Sequence, residues 1–296
     1  MGTLTAMRWL VAGAQGMLGV DVVRRLADRP RDDVRALGRG ELDVTDSDAC
    51  IDAVRGRDVV VNCAAYTAVD AAESDEAAAF AVNAVGAAHL ARAARRAGAR
   101  IVYISTDYVF NGDALSAWPE DAPVAPRSAY GRTKAAGEWA TRAENPDHVV
   151  LRTAWLYGAH GRCFPSTIAA AAAERGALQV VNDQVGQPTW TADVADLLIR
   201  LVDAGAPVGT YHGTARGETS WFGFARAVVA SAGLDPGIVA PTTTDAFPRP
   251  APRPGYSVLG HDAVRAAGLV PIGDWRRRWE QAASSVLRAI RDELPR

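Results

Sequence analysis

Short apolar runs alternate with longer alanine-rich segments along the first half of the chain, and this alternation restricts the fold more than any other feature. The runs are MRWLVAG, DVVVNCAA, RIVYIS and HVVLRTAW; they are nearly continuous in apolar residues, as is typical of strands buried on both faces. The intervening segments GVDVVRRLAD, EAAAFAVNAVGAAHLARAARRAG and SAYGRTKAAGEWATRA have the length and residue types of helices. The pattern predicts an α/β fold with a doubly wound parallel sheet.

The alternation loosens after Tyr157, which predicts a second, smaller α/β domain. We expect residues 7–157 to form the first domain, with a return of the chain to it around 186–214. Residues 158–185 and 215–296 then form the smaller domain. The Pro-rich stretch PTTTDAFPRPAPRPGYS lies between two helical patterns, WFGFARAVVASAG and WRRRWEQAASSVLRAIRDEL, and is therefore interpreted as a surface loop.

Composition excludes several classes of function. The chain has 296 residues, 49% of them hydrophobic and 22% charged, which is typical of a globular protein. A formal charge of −2 and a pI near 6.2 give no basic footprint for nucleic acid. No apolar run is long enough to span a membrane, and the first residues lack a secretion signal. Three widely spaced cysteines indicate buried thiols in a reducing compartment. We expect a cytoplasmic protein with a small-molecule partner, as a monomer or homodimer.

A glycine-rich loop follows the first predicted strand directly. Gly13, Gly16 and Gly19 lie in GAQGMLG, which opens a helix. Glycines let the backbone turn sharply and approach a pyrophosphate, whose charge is favourable beside the free amides of a helix N-terminus. At this position in a strand-helix-strand unit the pattern predicts a dinucleotide cofactor in a Rossmann-type domain.

The end of the second strand selects between the two common dinucleotides. An acidic residue there binds the ribose hydroxyls of NAD, whereas an arginine accepts the 2′-phosphate of NADP. Here the segment ALGRGELDVTD offers Arg39 and, further on, Asp43 and Val44. Arg39 favours NADPH over NADH without excluding NADH, although an arginine at the surface is often only solvated.

Lys134 is the only lysine among the 32 Lys and Arg residues of the chain, and it lies four residues after Tyr130. This spacing places both side chains on one face of a helix. A compact ammonium and a broad guanidinium are not interchangeable in a tight site. A nearby ammonium also favours the phenolate form of tyrosine, which brings the phenol closer to acid-base use. We therefore interpret Tyr130 and Lys134 as a working pair, against the alternative of a solvated lysine.

The glycine spacing and the Tyr-x-x-x-Lys pair together resemble the short-chain dehydrogenase/reductase superfamily. In that superfamily a Ser or Thr at the end of the fourth strand binds the substrate carbonyl, and Thr106 in STDYVFNG matches it. Taken alone, Thr106 fits equally well as a hydroxyl that bonds its own backbone. The resemblance implies that Tyr130 donates the proton, Thr106 supplies a hydrogen bond, and Lys134 lowers the tyrosine pKa while holding the nicotinamide ribose.

A longer series of motifs is similar to the dTDP-4-dehydrorhamnose reductase family from about Met7 to the C-terminus. The more specific ones are YTAVDAAE and DQVGQPT, accompanied by VNAVGAAHLA, RTAWLYG, GTYHGTARGETSW and RPGYS. The resemblance implies NAD(P)H-dependent reduction of the 4-keto group of dTDP-4-dehydro-6-deoxy-L-mannose to dTDP-L-rhamnose. It also makes the first domain the dinucleotide-binding domain and the smaller one the nucleotide-sugar-binding domain.

The resemblance further implies which residues bind the ligands. The dinucleotide contacts are Gly13, Gln15, Gly16, Met17, Leu18, Gly19, Arg39, Asp43, Val44, Ala64, Ala65, Tyr66, Asn83, Tyr130 and Lys134. The sugar pocket is lined by Thr67, Val69, Thr106, Asp107, Tyr108, Tyr130 and Trp155, and the thymidine diphosphate candidates are Gln184, Trp221 and Arg253. Taken singly, Val69 and Trp155 fit plain packing and Asn83 fits an ordinary polar helix position.

Three alternatives stay open at this point. A sugar 4,6-dehydratase or 4-epimerase is less favoured, because dehydratases follow the strand-end Thr with Asp-Glu and here Tyr108 follows Asp107. Another dTDP-sugar 4-ketoreductase differs only in pocket details. A non-catalytic regulatory subunit, like the β-subunit of methionine adenosyltransferase, resembles the same family but needs no Thr-Tyr-Lys set.

Some relatives dimerise through a metal that acidic residues hold. Asp21 and Glu293 lie near such places in this sequence, but Val20 interrupts the pattern. We therefore predict no metal site and leave Mg²⁺ dependence open.

Overall fold

The computed structural model describes residues 6–288. In chain order its strands and α-helices are β1 (Arg8–Ala12), α1 (Met17–Ala27), β2 (Asp33–Leu37), α2 (Ser47–Val54), β3 (Val59–Asn62), α3 (Glu76–Phe80), α4 (Gly86–Ala97), β4 (Arg100–Thr106), α5 (Ala129–Glu144), β5 (His148–Thr153), β6 (Leu156–Tyr157), α6 (Phe164–Arg175), β7 (Leu178–Val181), β8 (Val185–Gly186), β9 (Thr189–Trp190), α7 (Thr191–Asp203), β10 (Gly209–His212), β11 (Thr219–Ser220), α8 (Trp221–Ser231), β12 (Val239–Thr242), α9 (Asp262–Ala266) and α10 (Trp275–Val286).

The main sheet has six parallel strands in the spatial order β2-β1-β3-β4-β5-β10. The strand order reverses between β1 and β3, so the connections that leave these two strands diverge to opposite sides. In open parallel sheets this switch point leaves a crevice at the carboxyl ends of the strands, where ligands bind. The fold is the doubly wound α/β class that the alternation of strands and helices predicts.

Apolar residues of the strands alternate between two cores. In β1, Trp9 and Val11 pack in a core on one side of the sheet, whereas Leu10 packs on the other side. β3 divides in the same way, with Val61 in the first core and Val60 in the second. Side chains alternate across a strand, so a run that is apolar at every position needs helices over both faces. This explains why β1 and β3 lack a polar face, unlike the edge strand β2, which is largely exposed.

The segment 76–98, which the sequence predicts as one helix, contains a wider turn. A π-helical turn, Ala81–Val85, separates α3 from α4. The widened turn leaves the backbone oxygen of Asn83 to accept a hydrogen bond from the Tyr103 hydroxyl at 3.0 Å. α5 crosses closely at this point, because a Cβ atom on Gly137 would lie 2.1 Å from the same oxygen. The turn therefore contacts both β4 and α5, the helix that carries the Tyr-x-x-x-Lys pair, at the point where α5 packs on the sheet.

The later part of the chain contributes both to the main sheet and to a separate cluster. β10 pairs with β5 at the sheet edge, and α6, α8, β7 and β12 surround a small core that includes Ala225 and Val229. The Pro-rich stretch is less of a surface loop than expected, since its first two residues end β12 and Ala251 and Ser257 are buried. The division into two domains stays a prediction. Within residues 6–288 no helix is both long and apolar enough to cross a membrane.

Candidate active site

A cavity of about 710 Å³ opens at the carboxyl ends of β1, β3, β4 and β5. This is the place that the switch point predicts. Most of the sequence-predicted residues line it together: Gln15, Gly16, Met17, Leu18, Gly19, Ala65, Thr67, Val69, Thr106, Asp107, Tyr108, Tyr130, Lys134, Trp155 and Trp221. Residues up to about 200 positions apart thus meet in one cavity.

The glycine-rich loop has the geometry that a dinucleotide phosphate requires. Gly13 has φ 76°, and a Cβ atom there would lie 2.6 Å from the backbone nitrogen of Ala64. A Cβ atom on Gly19 would lie 2.3 Å from the oxygen of Gly13, so this glycine allows close packing of α1 on the loop. Gly16 precedes α1 and offers no side-chain cap to the first amides of the helix. Free amides at a helix N-terminus favour an anion, so these residues fit the pyrophosphate of a dinucleotide.

Thr106 and Tyr130 reach the cavity from β4 and α5. Thr106 is the last residue of β4, and its hydroxyl donates to the Asp107 carboxylate at 2.9 Å and accepts from the Tyr108 amide at 3.2 Å. Ser128 caps α5 by accepting from the Gly131 amide at 3.1 Å, which fixes the first turn that carries Tyr130. The ring of Tyr130 packs edge-on against Tyr108 at 5.6 Å.

Burial dominates the titration of the tyrosine. It raises the pKa of Tyr130 above its usual value, the Asp107 carboxylate acts in the same direction, and a hydrogen bond with Thr106 opposes both. The phenol therefore carries its proton at neutral pH in the cofactor-free protein. A phenol that holds its proton is an acid, which is the form that proton donation requires.

Lys134 is 2% exposed, and its ammonium donates to the backbone oxygen of Ile104 at 2.6 Å. It also lies 4.1 Å from the centre of the Tyr103 ring. Burial lowers the pKa of Lys134 to about 7, and the Glu138 charge opposes this decrease. The expected lowering of the Tyr130 pKa by Lys134 stays a prediction, since in the described residues the ammonium bonds Ile104.

Asp107 presents an unusual carboxylate to the cavity. Burial raises its pKa to about 6, against hydrogen bonds from Thr106 and the nearby Ser257 that favour the ionised form. Within the described residues the Oδ2 atom of Asp107 is buried and has no partner at hydrogen-bonding distance and angle. The hydroxyl of the nearby Ser257 instead donates to the backbone oxygen of Val185 at 3.4 Å. A buried acceptor without a partner is costly, so this atom is suited to a ligand hydroxyl.

Two tryptophans form one wall of the cavity. The rings of Trp155 and Trp221 stack with centroids 3.5 Å apart and planes at 6°. A Cβ atom on Gly186 would lie 2.5 Å from the Trp155 ring, so this glycine leaves the space that the indole fills. Trp155 has φ 48°, the one positive value outside glycine among residues 6–288. Backbone strain of this kind persists where surrounding contacts hold it, often at ligand sites.

The predicted adenosine side lies next to the glycine-rich loop but outside the cavity lining. The amides of Gly13 and Ala14 donate to the oxygen of Leu37, which joins the loop to the end of β2. Arg39, two residues further on, is exposed. Asp43 is exposed and accepts hydrogen bonds from Thr45, whereas Val44 is buried and packs where a Cβ on Gly86 would lie.

Asn83 does not line the cavity but bonds the loop after β3, which contributes Ala65 and Thr67 to the lining. Its side chain accepts from the Tyr66 amide at 2.8 Å and donates to the Tyr66 oxygen at 3.2 Å and to the Thr133 hydroxyl at 3.0 Å. The carboxamide is thus fully used inside the protein. Ala64 and Tyr66, which flank Ala65 on the same loop, do not line the cavity either.

Two of the three thymidine diphosphate candidates have partners elsewhere. Gln184 is buried and donates to the Thr244 hydroxyl at 3.0 Å. Arg253 bonds the carboxylate of Asp70 at 2.9 Å and lies beside Tyr108, in a small pocket next to the main cavity. Only Trp221 of these three lines the cavity itself.

Sequence reasoning missed several residues of the lining: Cys63, Ile104, Ser105, Thr153, Ala154, Leu156, His160, Gly161 and Arg162. Cys63, Ser105 and Thr153 are adjacent to strand ends, so the strand boundaries could have indicated them. Nothing in the sequence indicates His160, whose ring lies 3.7 Å from the Asp21 carboxylate. Cys63 as a whole residue is only partly buried, whereas we expected it to be buried, but its thiol lies deep enough for burial to raise its pKa.

Asp21, one of the two acidic residues considered for a metal site, is buried. It is 9% exposed and accepts a hydrogen bond from Thr191 at 2.5 Å. No group of three or more His, Cys, Asp or Glu residues that could hold a metal occurs in the part of the chain that the structure describes. Glu293 lies outside the described residues.

Comparison with known proteins agrees with this geometry. The family described as "RmlD substrate binding domain" matches residues 7–288. A dTDP-4-dehydrorhamnose reductase of Streptomyces griseus is 50% identical over 276 residues, 91% of this chain and 90% of that protein. A probable dTDP-4,6-dihydroxy-2-methyloxan-3-one 4-ketoreductase of Streptomyces antibioticus is 51% identical over 288 residues, 96% and 97% of the two chains.

Among solved structures, dTDP-4-dehydrorhamnose reductase from Bacillus anthracis in complex with NADP superposes with a TM-score of 0.89. It is 34% identical, and the match covers 94% of this chain and 99% of that one. The similarity therefore extends over both the sheet and the later cluster of helices. The chain belongs to the RmlD substrate-binding-domain family, the family of the dTDP-4-dehydrorhamnose reductases.

Proposed function

We propose that this protein is a cytoplasmic oxidoreductase that reduces the 4-keto group of dTDP-4-dehydro-6-deoxy-L-mannose with NADPH, giving dTDP-L-rhamnose. The observation that carries the proposal is the meeting of Thr106, Tyr130 and Lys134 in one cavity with the glycine-rich loop. The 50% identity to a dTDP-4-dehydrorhamnose reductase supports the choice of sugar.

The chain's own residues supply a proton and hydrogen bonds. When bound, the reduced nicotinamide supplies a hydride to the carbonyl carbon. Tyr130 gives its phenolic proton to the carbonyl oxygen, on which negative charge develops. Thr106, at the end of β4, stabilises the same oxygen by a hydrogen bond. Burial keeps Tyr130 protonated until that charge develops, so the acid is ready at neutral pH.

The remaining lining orients the sugar and the dinucleotide. The amides of the first turn of α1, after Gly16, would hold the pyrophosphate, and Lys134 would hold the nicotinamide ribose. Arg39 is exposed at the end of β2, where it would bind a 2′-phosphate, and this supports NADPH. The stacked indoles of Trp155 and Trp221 form an apolar wall on one side of the cavity.

A second candidate is reduction of a different dTDP-4-ketosugar. The 51% identity to a probable 4-ketoreductase acting on another dTDP-sugar favours this alternative specifically. Elimination of water is disfavoured, because the second carboxyl group of a dehydratase is replaced by Tyr108, whose ring packs against Tyr130. The two reductase candidates share the chemistry and differ in the sugar.

Turnover tests the proposal directly. We would mix the purified protein with NADPH and dTDP-4-dehydro-6-deoxy-L-mannose formed in situ, follow the nicotinamide absorbance, and identify the sugar by chromatography. Tyr130→Phe should abolish most consumption, whereas Tyr211→Phe, which removes a hydroxyl bonded to Pro207 at 2.7 Å on the sheet edge, should not. Consumption only with another ketosugar supports the second candidate. Cofactor binding with no consumption on any ketosugar points to a non-catalytic role.

A further inference from the structure

Glu138 lies behind the catalytic pair and is used by none of the steps above. Tyr130, Lys134 and Glu138 follow one another at intervals of four residues, on one face of α5. Glu138 is fully buried, and Arg152 of β5 donates to both of its carboxylate oxygens at 2.8 Å. Buried charges of this kind are retained only with close partners, so the pair forms a fixed unit under the active site.

The same carboxylate holds the end of β4. The Ser105 hydroxyl donates to Glu138 at 2.6 Å. Its two neighbours in the strand both belong to the site, because the Ile104 oxygen accepts the bond from Lys134 and Thr106 faces the cavity. A displacement of Ser105 would therefore move both the acceptor of the lysine and the hydroxyl that faces the substrate.

Few charges face the buried ammonium of Lys134. The groups around it are the Cys63 thiol after β3, the Tyr103 ring on β4, the Tyr130 phenol one turn back on α5, and Glu138 one turn ahead. Cys63 and Tyr103 are held in their neutral forms, because burial raises the pKa of each. Glu138 supplies the negative charge: burial raises its pKa, but its bonds to Arg152 and Ser105 outweigh that effect and lower it. Arg142, one turn further along α5, also donates to this carboxylate at 3.0 Å, and its charge acts in the same direction.

We propose that Glu138 is a positioning residue for the catalytic pair: it anchors Ser105 at the end of β4 and supplies the negative charge that faces Lys134. Through this charge it favours the ammonium form of Lys134, against the effect of burial, in the cofactor-free protein. The importance of this arrangement for turnover rests on the proposed reductase activity, but the arrangement itself does not.

The single lysine makes the charge of this group directly measurable. If the protein carries no tag that contains lysine, labelling with ¹³C at the lysine Cε gives a single side-chain NMR signal. The chemical shift of that signal as a function of pH reports the titration of Lys134. In Glu138→Gln we expect the midpoint of that titration to move to lower pH than in the native protein. The matched control is Glu144→Gln, which removes an Arg-paired carboxylate at the far end of the same helix and should leave the midpoint unchanged.

Breaking a buried pair leaves Arg152 without its partner, so Glu138→Gln is accompanied by the double variant Glu138→Met with Arg152→Met, which removes both charges. A lower midpoint in folded Glu138→Gln supports the proposal, and an unchanged midpoint in that variant overturns it. If only the double variant folds, its midpoint decides in the same way. Failure of both variants to fold assigns Glu138 a purely structural role and overturns the proposal as well. The measurement needs neither substrate nor cofactor, so its outcome is independent of the reductase assay.

Discussion

The contacts of Lys134 suit a compact ammonium. Its Nζ is 2.6 Å from the Ile104 oxygen and 4.1 Å from the centre of the Tyr103 ring. Arg is always charged and presents a broad planar fork, so we expect it to reproduce these two contacts poorly. We expect Lys134→Arg to lower kcat/KM by ~100-fold or more, the scale of a lost acid-base contribution, while the protein stays folded.

The control for this substitution replaces an arginine by a lysine. Arg132 lies two residues away on α5, but it is exposed and pairs with Glu76 at 2.8 Å. Arg132→Lys should keep near-native kcat/KM, because exposed ion pairs contribute little. Near-native turnover by Lys134→Arg would return Lys134 to the class of solvated lysines.

Arg39 is the residue that we propose to distinguish the two dinucleotides. It is exposed two residues beyond β2, and the loop of Gly13 is bonded to the last residue of that strand. A charge-assisted contact with a 2′-phosphate contributes enough free energy that its loss weakens binding by roughly tenfold or more. We expect Arg39→Ala to raise the Kd of NADPH by this factor and to change the Kd of NADH little, measured by fluorescence titration.

The matched control for Arg39 is Arg31→Ala. Arg31 is also exposed but precedes β2, at the end of the sheet opposite to the cavity. Arg31→Ala removes one positive charge, as Arg39→Ala does. It therefore shows how much of the change in dinucleotide Kd comes from the change in net charge alone. Equal weakening of both dinucleotides by Arg39→Ala would remove Arg39 from phosphate recognition.

At the scale of elements, the turn between β1 and α1 depends on glycine for space as well as for conformation. Gly13 and Gly98 both have positive φ, 76° and 70°, but a Cβ atom would meet Ala64 at 2.6 Å only at Gly13. Gly98 has open space around it. We expect Gly98→Ala to cost about 1 to 2 kcal/mol from backbone strain alone. Gly13→Ala should cost more, on the order of 3 kcal/mol, because it also forces the two loops apart.

Urea unfolding of the two alanine variants gives these free energies, and dinucleotide titration gives the functional part. Gly13→Ala should also weaken dinucleotide binding, since the turn places the free amides of α1. Gly98→Ala, at the distant end of α4, should bind normally. Equal stability of the two variants would show that the loop after β3 can move away from Gly13.

Regular elements with a strong local pattern could be predicted from the sequence, and irregular ones could not. β1 and β3 are apolar at nearly every position, and β4 and β5 contain the apolar runs IVYI and VVL, which indicates buried parallel strands without further information. The π-helical turn at 81–85 could not be predicted, because its residues are ordinary helix formers. Its cause is tertiary: the Tyr103 hydroxyl and the crossing of α5 at Gly137 both engage the oxygen of Asn83.

At the scale of the whole molecule, the site residues that could be predicted are those with local motifs. The glycine-rich loop and the Tyr130–Lys134 spacing predict a dinucleotide site and an acid from short segments, and the structure brings both segments to one cavity. The pairing of Trp155 with Trp221, and of Arg253 with Asp70, joins segments 66 or more residues apart and depends on how helices pack on the sheet. Residue type and spacing do not indicate such partners when the fold is unknown. For Arg253 the sequence therefore indicates an anionic partner, but it does not indicate that this partner is Asp70.

Buried histidines link the stability of the whole fold to pH. Burial lowers the pKa of His261 to about 4, with the Arg265 charge acting in the same direction. His212 is also shifted well below its usual pKa by burial and by Arg152. Between pH 6.5 and 4 the unfolded chain therefore binds protons that the folded protein does not. These histidines stabilise the fold above pH 6.5, and this stability is lost as the pH falls, at up to ~1.4 kcal/mol per pH unit for each group.

Comparison of the native protein with His261→Gln isolates one of these groups. The His261 ring is hydrogen-bonded to the Thr214 hydroxyl at 2.9 Å, and the Gln amide offers both a donor and an acceptor to that hydroxyl. Asp107, whose pKa is raised to about 6, acts in the opposite direction, but it is present in both proteins and cancels from the difference. We expect the free energy of unfolding to fall less between pH 7 and 5 in the variant, measured by urea titration. Equal losses in the two proteins would show that His261 gains its proton before the fold opens.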